Sequence, residues 1–402
     1  MSDRSTERAA AADPAPPIAA KVGASGSKSQ ARIVWEQFRK HNVALFGLGV
    51  LVIMYLMAAF AGFLAPYGMN EYRRSPSAAF VPPMTVHWTD PETGRLTRPF
   101  VYTYVSERHP VTRQQVWVED TEGPRYEVQF FVRRPNHSYK VLGIWRSDLR
   151  LFGVEEPGRI FLWGTNNLGK DLFTRVMYGG QVSLTIGVLA VWVSLILGLV
   201  LGVIAGFYGG LVDDFIMRLV EVFDAIPGLF LLIVLATLLK DPRNPLAQLF
   251  GLQMTSAQTF LMIVVVLGFV GWGGIARTIR SLVFSLREMD YASAAKALGA
   301  SETRVMFRHL LPGTASYVMV VLTLAIPGFI LAEVGLSFLG LGPSELDSAS
   351  WGILLRDATA RGVSIQFVPW LLIPGIPIFI AVLAWNLVGD GLRDAFDPKK
   401  RR

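Results

Sequence analysis

Gly164-Thr-Asn-Asn-Leu-Gly169-Lys170-Asp171 comes within one residue of the loop that cradles nucleotide phosphates. That loop needs Ser or Thr after its Lys, because the hydroxyl binds the magnesium ion. Asp171 stands there instead and would set a negative charge beside the phosphates, so the segment is not read as a nucleotide site. The five histidines, His41, His87, His109, His137 and His309, show no metal-site spacing. The chain has no cysteine, which removes disulfides, thiolate metal sites and a cysteine nucleophile. No Gly-x-Ser-x-Gly elbow is present. Asn136-His-Ser138 fits a glycosylation sequon, a triplet frequent by chance. No catalytic constellation is recognisable, and the expectation is a protein that is not an enzyme and carries no cofactor or metal.

Two features of another kind stand out. The first is the polar run from Asp290 through Gly299 to Pro312, set between apolar segments. Residues 282–298 are rich in Ala, Leu, Arg and Glu and predict a helix. Gly299 suits the left-handed residue that ends a helix. Ser301 is a candidate N-cap with Glu302 in the next first turn. Pro312 marks the entry to the following apolar segment. The reading is two short helices with an elbow of small residues, Ala294, Ala295, Ala297 and Ala300, shaped either for a soluble partner's groove or as a surface-lying hairpin. The second feature is Glu333, a carboxylate well inside an apolar run. Such a group is costly and marks a functional candidate. Bonding to a neighbouring helix and contact with a solute both fit it.

These features need a frame, and composition supplies it. Of 402 residues, 52% are hydrophobic and 17% charged, against about 25% charged in soluble domains. With a net charge of +7, dispersed basic residues and no DNA-reading motif, nucleic acid is not an expected partner. A span needs about 20 mostly apolar residues. Segments 43–66, 182–207, 215–239, 259–276, 316–341 and 370–387 qualify. The first starts far from the N-terminus, behind a tail rich in Ala, Pro, Ser and Gly, and reads as an uncleaved anchor.

Lys and Arg in short flanks orient the spans. The tail holds Arg4, Arg8, Lys21, Lys28, Arg32, Arg39 and Lys40. The loop after the fourth span holds Arg277, Arg280, Arg287, Lys296, Arg304 and Arg308, and the C-terminal tail holds Arg393, Lys399, Lys400, Arg401 and Arg402. The short loops on the other side carry only Lys240 and Arg243, then Arg356 and Arg361. Both termini and the Asp290–Pro312 run are therefore expected in the cytoplasm. Segment 67–175 is external, since long segments cross largely regardless of charge. Within it, stretches 100–105, 115–119, 126–133 and 139–145 read as strands of a small β-rich subdomain, either a spacer or a docking surface. Ser194, Gly198, Gly202, Gly206 and Gly210 line one helix face of the second span. They serve packing within the chain or against a second subunit. Arg218 and Glu221 are expected to pair along one helix face near Asp224, and Pro227 to kink the third span.

The polar run resembles the EAA motif of ABC importer permeases. Ser293-Ala294-Ala295, then Gly299, then His309-Leu-Leu-Pro312 fall at the family spacing. Ser293 stands where the motif has Glu and lacks the charge for that residue's ion pair. Residues 164–175, 178–184, 332–342, 350–352 and 386–398 resemble further signatures of the same family, so the likeness covers about 160–398. The chain is identified as similar to the dipeptide/oligopeptide/nickel permeases of the OppC/DppC type.

The resemblance implies an all-α membrane protein of six transmembrane helices, the type I ABC importer permease fold, with a β-rich insertion between helices 1 and 2. The division expected is a disordered cytoplasmic tail (1–42), a first helix (43–66), the insertion (67–175), a core (176–392) with coupling loop 277–312, and a basic tail (393–402). The implied partners are a second, OppB/DppB-like permease, two ATPase subunits that bind ATP and Mg, an extracytoplasmic solute-binding protein, and inner-membrane lipid. Asp290, Ser293, Ala294, Ala295, Leu298, Gly299, Ala300 and Pro312 would couple to the ATPase, with Glu333, Trp272 and Asn386 as path candidates. Peptides are the default solute, and relatives carry nickel, opines or oligosaccharides. An ion-coupled carrier would show inverted repeats, and none is clear.

Overall fold

The structure is a computed structural model that describes residues 30–69, 71, 78–108, 115–141, 144–241, 243–248, 255–344, 348–359 and 365–396. Tail residues 1–29 and 397–402, and His109, lie outside the described residues. The tail expected to be disordered over 1–42 is helical in its last part: helix α1 (Gln30–Phe38) buries Val34 and Phe38 against α2 and α13, because its apolar residues find a core there. His41 then caps α2 (Asn42–Ala59), its Nδ1 accepting from the Ala44 N–H at 3.1 Å. A short α3 (Ala61–Leu64) ends the first apolar segment.

The insertion follows, its described residues forming four small antiparallel sheets. β1 (His87–Thr89), β2 (Leu96–Tyr102) and β5 (Arg125–Glu127) form one, in the order β1-β2-β5. β3 (Tyr104–Arg108) pairs with β4 (Gln115–Glu119), and β6 (Gln129–Arg133) with β9 (Leu149–Gly153). β7 (Tyr139–Val141) and β8 (Trp145–Ser147) make a hairpin. Val101, Phe152, Ile160 and Phe161 build their core. Three expected strands need correction. Stretch 100–105 divides at Thr103, so its halves fall in β2 and β3, which serve different sheets. Stretch 126–133 divides at Val128, whose N–H turns to the Pro99 carbonyl, so β5 and β6 serve different sheets. Stretch 139–145 is a hairpin and not a single strand.

Arg150 fastens this subdomain to the first span. Its fully buried guanidinium donates to the carbonyls of Gly62, Ala65 and Tyr67 at 3.2, 3.1 and 2.7 Å, and to His137 O at 2.9 Å. These include carbonyls that the end of a helix leaves without intrahelical donors. Beside it, Arg134 pairs with the buried Glu71 carboxylate.

The near-nucleotide loop proves to be a structural knot. Gly164 and Gly169 take φ of +75° and +73°, which only glycine adopts without strain. Asn166 Oδ1 accepts from the N–H groups of Leu168 and Lys170 at 3.0 Å each, so those donors are not free for a phosphate. Its Nδ2 donates to Asp357 Oδ2 at 3.0 Å. Asp171 caps α4 (Leu172–Tyr208) by accepting from Thr174 N–H at 2.8 Å.

α4 and α8 (Ser256–Leu286) are the central pair. A Cβ at Gly198 would sit 2.6 Å from Ile275 Cβ, at Gly202 2.6 Å from Ala276 O, and at Gly206 2.7 Å from Arg280 O. The small-residue face of α4 thus serves close packing inside the chain, the first of the two alternatives. α5 (Gly210–Ala225) and α6 (Gly228–Lys240) take the place of the expected third span; they meet at 91° at Pro227, where a kink was expected. Arg218 pairs with Glu221 at 2.8 Å as expected, whereas Asp224 binds Arg277 at 2.5 Å. A four-residue α7 (Pro245–Gln248) follows α6.

Beyond α8 come α9 (Asp290–Ala297), then α10 (Glu302–Arg304), a π-helical stretch (Val305–Leu310) and α11 (Leu311–Phe338), which run as one helix from Glu302 to Phe338. α12 (Trp351–Asp357) and α13 (Gly375–Phe396) complete the chain, α13 packing on α2. Among the described residues, five helices are long and apolar enough to cross a membrane, or six if the bent α5–α6 pair is one span.

Candidate coupling surface

The surface is built where α4, α8 and α9 end together. α8 continues to Leu286, so the expected helix 282–298 is in fact interrupted. Met289 is extended, with φ −74° and ψ 149°, and α9 starts afresh at Asp290. Leu298 caps α9, and Gly299 follows at φ +81°. Gly299 N–H bonds to Lys296 O at 2.9 Å and Ala300 N–H to Ala295 O at 3.0 Å. This is the paired closure of a Schellman motif, with glycine at its left-handed position.

Ser301 occupies the N-cap position of the next helix but makes no capping bond; its Oγ lies 3.4 Å from Thr303 Oγ1. Pro312 lacks an N–H for the carbonyl four residues back. The chain winds in the wider π pattern just before it, then continues without a break. The expected pair of short helices is therefore one short helix, a glycine corner and the foot of a long span.

The elbow alanines divide. Ala292 is fully buried, and Ala295 and Ala300 pack partly against the main core. Asp290, Ser293, Ala294, Ala297, Gly299 and Pro312 are exposed. Leu298 is the most prominent, 88% exposed at the tip. Apart from its two chain neighbours, no described atom lies within 4 Å of where a Gly299 side chain would start.

Residues that sequence reasoning missed hold this corner in place. Arg287 Nη1 donates to Gly206 O and Phe207 O at 3.2 and 3.1 Å, satisfying carbonyls at the end of α4. Its guanidinium carbon lies 3.9 Å from the Phe284 ring centroid, close enough for a cation–π contact. Lys296 Nζ lies 4.9 Å over the Phe207 ring. Tyr208 OH donates to Glu302 Oε2 at 2.9 Å. Arg280 forks onto Asp213 of α5. The only signal in the sequence was the cluster of Arg residues after the fourth span, which says nothing of their partners.

The path candidates do not converge. Glu333 is fully buried, accepting from Ser337 Oγ at 2.7 Å. Ser183, close by on α4, accepts from the Trp351 N–H of α12 at 3.2 Å. Trp272 is 4% exposed and meets Phe223 edge-on at 6.1 Å. Asn386 is exposed on α13 and donates to Val382 O of its own helix at 2.9 Å. No group of acidic residues and histidines able to hold a metal occurs among the described residues.

A bundle of long apolar helices with a β-rich insertion and an exposed polar corner defines a multi-pass membrane protein. Residues 198–402 match the family described as binding-protein-dependent transport system inner membrane component, and residues 29–83 match the N-terminal TM domain of oligopeptide transport permease C. The chain belongs to the binding-protein-dependent transport system inner membrane components, of the OppC/DppC type. It is a non-catalytic permease subunit of an ABC importer.

It is 29% identical over 377 residues to a dipeptide transport system permease protein DppC of Bacillus subtilis (strain 168), covering 94% of this chain and 88% of that protein. Against the oligopeptide transport system permease protein OppC of Haemophilus influenzae, identity is 36% over 240 residues, 60% of this chain and 70% of the relative. The OppC of Bacillus subtilis is 35% identical over 259 residues, 64% and 78% of the two chains.

Proposed function

We propose that this chain is one of two permease subunits lining a path for short peptides, and that its α9–Gly299 corner receives the motion of an ATPase subunit. The partners are a second, OppB/DppB-like permease, two ATPase subunits that bind ATP and Mg, and an extracytoplasmic solute-binding protein. The peptide assignment rests on relatives named for dipeptide and oligopeptide transport. The observation that carries the coupling role is the Schellman-closed corner, which holds Leu298 clear of its own fold while Arg287 and Lys296 tie the same corner to the end of α4.

A push on Leu298 is then delivered to α4 and, through α4's close packing, to α8. Coupling of this kind needs an element with two arrangements, biased from both ends. The two permeases rocking against each other are that element. Asp290, Ser293, Ala294, Ala295, Ala300 and Pro312 shape the corner, and Ser293 contributes no charge to it. Both termini and the corner face the cytoplasm of a bacterial inner membrane, and the 67–175 insertion faces outward. The chain divides at 1–42, 43–66, 67–175, 176–392 and 393–402. Glu333, locked by Ser337, serves helix packing first.

The experiment is uptake of labelled di- and oligopeptides into proteoliposomes holding the full complex, with the binding protein added on its side. Uptake that requires ATP and saturates with peptide supports the reading. Peptide flux without ATP, or binding without flux, overturns it.

A further inference from the structure

The β7–β8 hairpin is two-faced. Its register sets Tyr139 opposite Ser147, Lys140 opposite Arg146, and Val141 opposite Trp145. Residues paired across a ladder share a face, and faces alternate along a strand. Tyr139, Val141, Trp145 and Ser147 therefore lie on one side, Lys140 and Arg146 on the other. The apolar side turns toward the end of the first span. The Tyr139 ring packs so closely on Gly62 that any side chain there would collide with it. Tyr139 OH donates to Leu149 O at 2.6 Å, which fixes the ring.

Between hairpin and span runs an open apolar groove of about 630 Å³, walled by Ile53, Leu56, Met57 and Phe60 on one side and Tyr139 and Val141 on the other. Ile144 and Trp145, beside the groove, are 71% and 68% exposed. On β6, Phe131 is 62% exposed and lies 6.3 Å from the Phe63 ring. Contiguous apolar surface of this kind marks an interaction site.

The groove's occupant follows from its walls. Ile53, Leu56 and Met57 belong to Asn42–Ala59, one of the membrane-crossing helices, and only 22% of that helix's window is buried by the chain itself. A membrane-crossing helix so little covered by its own chain presents its free face to acyl chains at mid-membrane wherever no second subunit sits on it, and the groove continues the same face. Trp and Tyr concentrate at membrane interfaces, where an apolar ring and a polar edge are both accommodated. Lys140 and Arg146 are like charges placed directly opposite each other, an arrangement unfavourable in water. A layer of phosphates relieves it.

We propose that the Tyr139–Ser147 hairpin is a membrane-interface anchor. Its apolar face closes on the acyl chains of the adjoining leaflet, and Lys140 and Arg146 sit among the lipid phosphates. The subdomain is then pinned at two points, by Arg150 at the end of the first span and by the hairpin in the lipid. The inference needs only that the first span crosses the bilayer. It holds whichever side faces the cytoplasm, and whether or not the coupling proposal stands.

The chain has no cysteine, so one introduced thiol gives a single label. Ile144→Cys, at an exposed turn where no packing is lost, is labelled with bimane in the assembled complex. The complex is held in nanodiscs of phosphatidylcholine and phosphatidylglycerol. Glu92→Cys, in the exposed turn before β2, is the comparison site. Replacing the phosphatidylcholine with its acyl-brominated form is expected to quench emission at 144 and not at 92, and aqueous iodide to do the reverse. Iodide quenching at 144 overturns the proposal, because the hairpin is then in water. Quenching by neither also overturns it, because a protein neighbour then fills the groove. Lys140→Glu with Arg146→Glu is expected to lower the quenching by brominated lipid. Unchanged quenching would remove the phosphate contact from the proposal.

Discussion

Replacing Gly299 separates backbone need from surface contact. Its φ of +81° is disfavoured for any residue with a Cβ, at a cost of about 1–2 kcal/mol. Asn tolerates the left-handed region better than Ala. Apart from its two chain neighbours, no described atom lies within 4 Å of the Cβ position, so a side chain there starts into open space. Gly299→Asn, Gly299→Ala and Gly299→Trp should therefore all insert and fold at wild-type levels.

Their effects on capture of the ATPase subunits should differ. Asn should stay close to wild type. Ala should lose about 5–30-fold, the ratio equivalent to one or two kcal/mol. Trp carries the same backbone penalty and also projects an indole into the space the ATPase must cover, so it should abolish both capture and uptake. The assay is titration of purified ATPase subunits onto the permease pair in nanodiscs, followed by ATP-dependent uptake in proteoliposomes. Wild-type capture and uptake by Gly299→Trp would refute the coupling role. Equal losses for Ala and Trp would show that the corner is needed only for its backbone shape.

Other outcomes follow from named contacts. Arg287→Met removes the two bonds to Gly206 O and Phe207 O; the corner should loosen by about 1 kcal/mol, read as faster hydrogen exchange in α9, with uptake falling more than ATPase turnover. Gly202→Val drives methyls toward Ala276 O and Ile279 and should cost at least about 1–3 kcal/mol, seen as a lower midpoint in thermal unfolding of the detergent-solubilised protein, while Gly228→Val, with open space around it, should not. Arg150→Met strands several buried carbonyls at the end of the first span and should destabilise their junction with the subdomain by roughly 3 kcal/mol or more, measured as protease cleavage between residues 65 and 150.

The sequence made the long spans legible because hydropathy survives averaging along a helix. Gly299 was legible as a helix end for a local reason: the left-handed residue is chosen by the chain around it. The third span was legible in part: the Arg218–Glu221 pair and a bend at Pro227 were readable locally, but the 91° angle between α5 and α6 depends on packing that an apolar average over 215–239 does not carry. The fork of Arg280 onto Asp213, and the bond from Tyr208 to Glu302 across 94 positions, depend on how α4, α5 and α8 meet, and no local pattern encodes that. Ser293 fits the exposed side of α9, yet nothing local says what a serine does there. The near-nucleotide loop was rightly set aside on Asp171, but its actual role was not readable: two glycines and a lysine in that order also serve a turn whose Leu168 and Lys170 N–H groups bond to Asn166.

The central claim is that the Leu298 tip is where an ATPase subunit engages. A single cysteine at Leu298, in a chain otherwise free of thiols, tests it directly when the complex is treated with a short bifunctional reagent, with and without ATP. The account predicts a cross-link to the ATPase subunit whose yield changes with nucleotide, and no reaction with an impermeant thiol reagent added on the binding-protein side. Labelling from the binding-protein side, or a soluble-exposed thiol that never cross-links in an active complex, would contradict it.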